Sequence, residues 1–199
     1  MALTIHGSPR SRTMRVLWIA AELGLAFEHD PIAFDDPRLK SDDFLRLNPA
    51  GAIPTIEDGG LALPESLAIN LYLAKRYGLG SLYPKTPEDE AQVWRWSLWA
   101  QGQLEPWVMR DALLLSLREA LAPHTAPLIA AALTTLERAL DGHYWLVGRA
   151  FAVADLNIAG VLSPSRAEHL DLAPYPGVAA WLARCYARPA AVETRRRYG

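Results

Sequence analysis

The chain has 199 residues, 51% hydrophobic and 21% charged, with a formal net charge of -2. That balance suits a soluble globular protein of one large or two small domains and leaves no broad basic field for nucleic acid. No apolar run approaches the roughly 18 residues a membrane span needs, and Met1-Ala2-Leu3-Thr4-Ile5 lacks the basic start of a signal peptide.

In chain order, Leu3 to His6 reads as a short strand stopped by Gly7-Ser8-Pro9. Ser11 to Gly24 reads as a helix, with Val16, Leu17, Ala20 and Leu23 at helical spacing. Ala26 to Ile32 is a second strand and Ser41 to Leu47 a short helix. Pro54 to Glu57 and Leu61 to Leu63 are strands around an Asp58-Gly59-Gly60 turn. Ser66 to Tyr77 is a third helix, ended by Gly78. A helix between two nearby strands implies a parallel pair; the two-glycine turn implies an antiparallel one. The expectation is an α/β domain with a mixed four-stranded sheet, whose order and size resemble a thioredoxin-like domain. Leu79 to Pro87 reads as a linker and almost everything after it as helix. Segments at Glu88 to Glu119, Leu128 to Leu140, Phe151 to Leu162 and Val178 to Ala187 make an all-α second domain, with Pro123 and Pro127 bracketing a helix start. The expected boundaries are 1–78, a linker at 79–87, and 88–199. Arg195-Arg196-Arg197 reads as a solvated end.

Three stretches carry chemistry. An X-Pro bond goes cis at a cost of only about 0.5–1 kcal/mol. A cis Ile53-Pro54 step before a strand turns the Ile53 N–H and C=O outward, toward an extended peptide ligand; a trans proline starting an edge strand is the plainer reading of Pro54 alone, and the Glu65-Ser66 pair that follows favours the cis one. Glu65-Ser66 opens the third helix. Open N–H groups there attract a carboxylate, Glu65 suits an α-ammonium, and Ser66 joins them, N-caps the helix, or does both at once. Ser11 heads the first helix, where the dipole favours an anion. A free thiol has a pKa of roughly 8.5, and such positions lower it. Ser11 is then a donor to a ligand thiolate; it has no adjacent His to make it a nucleophile. Ser8 and Thr13 are further hydroxyls in reach.

Leu3 through Trp18, Asn48-Pro49-Ala50-Gly51-Ala52-Ile53-Pro54 and Pro64-Glu65-Ser66-Leu67-Ala68-Ile69 together resemble the cytosolic glutathione S-transferases, nearest to bacterial and fungal members with a serine-type site. The resemblance covers the whole chain. It implies glutathione as substrate, with its thiol at Ser11, its cysteinyl backbone on Ile53 beside Pro54, and its γ-glutamyl end on Glu65 and Ser66. It also implies conjugation to a small electrophile and a homodimer. The alternatives are a non-catalytic binding protein of this fold, a carrier of apolar ligands, or a glutathione-dependent peroxidase or reductase. The single cysteine, Cys185, suits a reducing cytosol and reads as a buried filler. No metal-ligand pattern occurs in the sequence, so no metal is expected and a cytoplasmic location is.

Two departures from the family matter. Gly148 through Leu156 is similar to the capping-box segment of the family's central buried helix, but Ala152 replaces the usual Ser or Thr opposite Asp155. Ala52 stands where many relatives carry Lys or Gln reaching the glycyl end of glutathione, which leaves Lys40 as the nearby cation and predicts weak binding. In the helical half, Trp96 and Trp99 share a face and Trp94 lies off it. Trp107, Arg110, Asp111 and Leu114 are candidates for an electrophile pocket, and Arg110-Asp111 is equally a structural ion pair.

Overall fold

The sheet runs β2-β1-β3-β4 in the computed structural model, which describes residues 3–108 and 118–199. Its strands are β1 (Leu3–His6), β2 (Phe27–Asp30), β3 (Thr55–Asp58) and β4 (Leu61–Pro64). β1 and β2 pair in parallel, from Leu3 opposite Phe27 to His6 opposite Asp30. β1 and β3 are antiparallel, as are β3 and β4. This is the mixed four-stranded sheet expected from the turn chemistry. α1 (Thr13–Glu22), α2 (Asp42–Leu47) and α3 (Ser66–Tyr77) flank it. Ile5 and Ile56 are wholly buried at its centre, and Val16, Leu17 and Ile19 of α1 and Ile69 and Leu73 of α3 are closed from solvent with them. Strand alternation separates Thr4 and His6 from Leu3 and Ile5. The His6 ring lies edge-on to Phe44 and between Asp30 (3.2 Å) and Glu57 (3.0 Å), tying three strands together.

The chain divides into two compact units, Met1–Tyr83 with Arg188–Gly199, and Pro84–Ala187. The last segment therefore folds with the first unit, while Arg196 and Arg197 on it are exposed, as expected. Pro189–Tyr198 is a helix that packs on α1. Arg188 grips the buried Glu22 carboxylate through Nε and an NH2 group, both at 2.8 Å, while Trp18 Nε1 donates to the same carboxylate at 3.0 Å. Sequence periodicity misses this helix because so little of it is apolar; its buried residues are Ala191 and Thr194.

The second unit is helical. α4 (Pro87–Trp99) starts one residue earlier than Glu88, with Pro87 in the first turn and Thr86 Oγ1 accepting from Asp89 N at 3.2 Å. Trp96 is buried edge-on to Trp99, and Trp94 is exposed, as their spacing predicts. A π-helical stretch, Ala100–Leu104, follows. α5 (Arg118–Leu140) runs through Pro123 and Pro127 rather than starting at Leu128. Each proline removes one backbone bond, and burial of Ile129, Leu133, Leu136 and Leu140 along one face sustains the helix. α6 (Val153–Ala167) is the central buried helix. It extends past the expected Leu162 but kinks at Ser163 (φ 43°), where Pro164 disfavours the helical conformation of the residue before it. α7 (Pro176–Tyr186) is capped across space by Glu137, whose carboxylate accepts from Gly177 N (2.9 Å) and Val178 N (2.8 Å). The terminal helix is α8. Cys185 is buried in α7. No described helix is long and apolar enough to cross a membrane.

Candidate functional site

The first side of the site is the turn between β1 and α1. Gly7 N donates to Asp30 O at 2.8 Å, and the His29 ring donates from Nε2 to Gly7 O at 2.9 Å, so β2 holds the turn. Gly7 has φ 137°, and a Cβ there would lie 2.2 Å from Thr13 Oγ1 and 3.0 Å from Ile53 Cβ. Only glycine permits that approach. Ser8 Oγ accepts from Arg10 N, which makes Ser8 a local turn former. Ser11 Oγ donates to Ser8 O at 2.7 Å, accepts from Thr13 N at 3.1 Å and lies 2.9 Å from Thr13 Oγ1. α1 starts at Thr13, two residues later than expected, because Ser8 to Arg12 form turns that leave Ser11 just ahead of the helix. The first turn of α1 holds no acidic residue, so its dipole is left open to an anion.

The second side is the loop 48–54. Asn48 is 3% exposed and organises it: Nδ2 donates to Ala52 O (2.8 Å) and Thr55 Oγ1 (3.2 Å), and Oδ1 accepts from Ala50 N (3.0 Å). Gly51 (φ 56°) crosses so close to Leu39 that a Cβ would lie 2.5 Å from the Leu39 carbonyl. Lys40 Nζ donates to the Ala50 and Gly51 carbonyls, each at 3.4 Å. The Ile53-Pro54 bond is cis, the less plain of the two readings. The sheet ladder starts at Thr55, so the Ile53 backbone stands outside it. The Ile53 side chain packs on Ile32, Leu39 and Phe44.

The third side is the start of α3. Glu65 is the N-cap residue, with φ 72° and ψ 107° and no side-chain cap bond. A non-glycine residue there costs roughly 1–3 kcal/mol, a strain found mostly at ligand sites. Its side chain is exposed. Ser66 does not N-cap the helix. It is buried, and its Oγ accepts from Arg15 NH1 at 3.3 Å. Arg15, itself 3% exposed, thus links α1 to the head of α3.

Gly7 therefore joins the Ser11-Thr13 pair to Ile53, and Arg15 joins α1 to Ser66, all within one unit. Sequence reasoning gave no role to Asn48 or Arg15. The signal for Arg15 was a charge set among the buried positions Thr13, Val16 and Leu17. For Asn48 it was an amide immediately before a Pro-Ala-Gly turn. Of the electrophile-pocket residues, Trp107 is half-buried on a helical stretch at 105–108; Arg110, Asp111 and Leu114 lie outside the described residues. Among the described residues no group of His, Cys, Asp or Glu is placed to hold a metal ion.

Both halves of the chain match known proteins. Residues 1–75 match the family model of the glutathione S-transferase N-terminal domain, and residues 104–189 match that of the C-terminal domain. The chain is 33% identical to glutathione S-transferase D7 of Anopheles gambiae over 180 residues, 89% of this chain and 82% of the relative. It is 32% identical to glutathione S-transferase PARB of Nicotiana tabacum over 209 residues, 97% of each chain. The solved glutathione S-transferase of Xanthobacter autotrophicus Py2 superposes with a TM-score of 0.82 at 30% identity, over 95% of each chain.

Proposed function

The chain belongs to the glutathione S-transferase family, and from that premise we propose that it is a serine-type glutathione transferase joining glutathione to a hydrophobic electrophile. The observation that carries the reading is the Ser11 hydroxyl at the open head of α1, with the Ile53 step packed against the same turn. The glutathione thiol binds at Ser11. It gives its proton to solvent, and the thiolate is stabilised by the Ser11 hydroxyl and the helix dipole. The sulfur attacks an electron-poor carbon, a C–S bond forms, and the leaving group departs with its electron pair. Holding both reactants in place supplies the rest of the acceleration.

The remaining residues grip the peptide. Ile53, beside Pro54, pairs its N–H and C=O with the cysteinyl backbone. The open N–H groups and Ser66 at the head of α3 take the γ-glutamyl carboxylate, and Glu65 takes its ammonium. The unusual φ of Glu65 supports this role, because it presents an exposed carboxylate at a helix start that no side chain caps. Lys40 faces the glycyl carboxylate. A reductase working through its own thiol is disfavoured, since Cys185 is the only cysteine and lies buried in the other unit.

The test is titration calorimetry with reduced glutathione, together with conjugation of chlorodinitrobenzene, on the wild type and Ser11→Ala. The wild type is expected to bind and conjugate. Ser11→Ala is expected to bind but lose on the order of a hundredfold in rate. Wild-type conjugation by Ser11→Ala would show that another group holds the thiolate. Absence of wild-type binding up to millimolar glutathione would leave a binding protein for another ligand.

A further inference from the structure

We propose that Thr13 is a positioning residue that sharpens Ser11 as a thiolate donor, an inference that rests on the reading of Ser11 above. A serine hydroxyl has one proton and two lone pairs. The Ser11 proton goes to the Ser8 carbonyl at 2.7 Å. The 2.9 Å contact between Ser11 Oγ and Thr13 Oγ1 is then a hydrogen bond only if Thr13 donates. Thr13 N donates to the same oxygen at 3.1 Å. Ser11 therefore receives two hydrogen bonds from one residue and gives one away.

That arrangement has a chemical consequence. To meet a thiolate, the Ser11 hydroxyl swings its proton off the Ser8 carbonyl. Rotation about the Cβ–Oγ bond carries both lone pairs round with the proton, so one of the two Thr13 bonds is kept, that from the Thr13 hydroxyl, and a donor on an oxygen polarises its own O–H, making it a stronger donor. Thr13 itself cannot swing. Its side chain is wholly buried, and its Oγ1 would lie 2.2 Å from a Cβ on Gly7. Gly7 thus leaves the space in which Thr13 stands, and Thr13 fixes the oxygen of Ser11 while leaving its proton free to turn.

The experiment titrates the ultraviolet absorbance of the glutathione thiolate bound to the wild type and to Thr13→Val, Thr13→Ala and Thr13→Ser. Melting temperature and glutathione affinity are measured alongside. In the valine and alanine variants the apparent pKa of the bound thiol is expected to rise by about half a unit to one unit, the three- to tenfold that one hydrogen bond carries, at unchanged glutathione affinity. Thr13→Ser restores the wild-type titration. If the valine variant does not fold, the alanine variant carries the same expectation. Wild-type titration in Thr13→Ala, or failure of Thr13→Ser to restore it, overturns the role of Thr13. Absence of thiolate in the wild type together with glutathione bound overturns the reading of Ser11 itself, and the role of Thr13 with it.

Discussion

At position 52 a methyl group stands immediately before the Ile53-Pro54 step, and the Lys40 ammonium lies 3.4 Å from the Ala50 and Gly51 carbonyls behind it. Our hypothesis is that the glycyl end of glutathione is held weakly, because Lys40 already serves the loop and the Ala52 side chain has no polar atom to offer. A hydrogen bond to a charged group contributes about 1.5–3 kcal/mol, some ten- to a hundredfold in affinity. Ala52→Gln is the cleaner repair, since a lysine would set a second cation beside Lys40. Calorimetry should show glutathione binding tightened about tenfold. Equal affinity in the two proteins would mean that the glycyl end lies elsewhere. At this scale the sequence drew attention to Ser11 and Glu65 as candidates because each stands at the start of a helix. It was illegible where the role depends on a neighbour. Ser66 reads as an N-cap until Arg15 arrives from another helix, and Thr13 reads as one more hydroxyl until Gly7 brings it against the turn.

Among the elements, α6 shows how a departure from a motif becomes a measurable deficit. Ala152 is its N-cap residue with no side-chain bond, while Asp155 keeps its half of the box, accepting from Ala152 N at 3.0 Å. The Asp155 carboxylate also accepts from Leu146 N (3.0 Å) and Trp181 Nε1 (2.8 Å). Burial pushes its pKa up, and these three donors pull it back. Ala152→Thr restores the missing acceptor and should add roughly 1 kcal/mol, visible as a rise in melting temperature of a few degrees. Ala152 is itself buried, so an unchanged or lower value would show that the hydroxyl finds no room or no donor. Helix periodicity located α3 and most of α6 because their apolar positions repeat. It failed at α5, where two prolines read as a boundary and only burial beyond them shows that the helix continues. It failed again at α8, which buries only Ala191 and Thr194 and is preceded by the ion pair of Arg188 with Glu22, so it carries no apolar stripe.

For the whole molecule the family likeness carries one expectation that the chain by itself cannot display, a homodimer. Light scattering of the purified protein should give twice the chain mass of 22.0 kDa. A mass of one chain across micromolar concentrations would overturn it. The mixed sheet and the helical second unit were legible in the sequence by itself, and the cis step at Ile53-Pro54 was favoured there by the residues that follow it. Each of these is written in local signals: alternation, helical spacing, turn residues and an acid-hydroxyl pair at a helix start. Only the tertiary structure decided that Arg188–Gly199 returns to the first unit, that Arg15 reaches Ser66, that Asn48 holds the loop and that Thr13 stands behind Ser11. For the return of the last segment and for the reach of Arg15 the physical reason is distance along the chain; for Asn48 and Thr13 it is that side-chain direction in a loop or turn leaves no periodic trace. Glu22 and Arg188 are 166 residues apart, and Arg15 and Ser66 are 51 apart. No window of local pattern spans such pairs, whereas burial makes each partner costly to leave unmet.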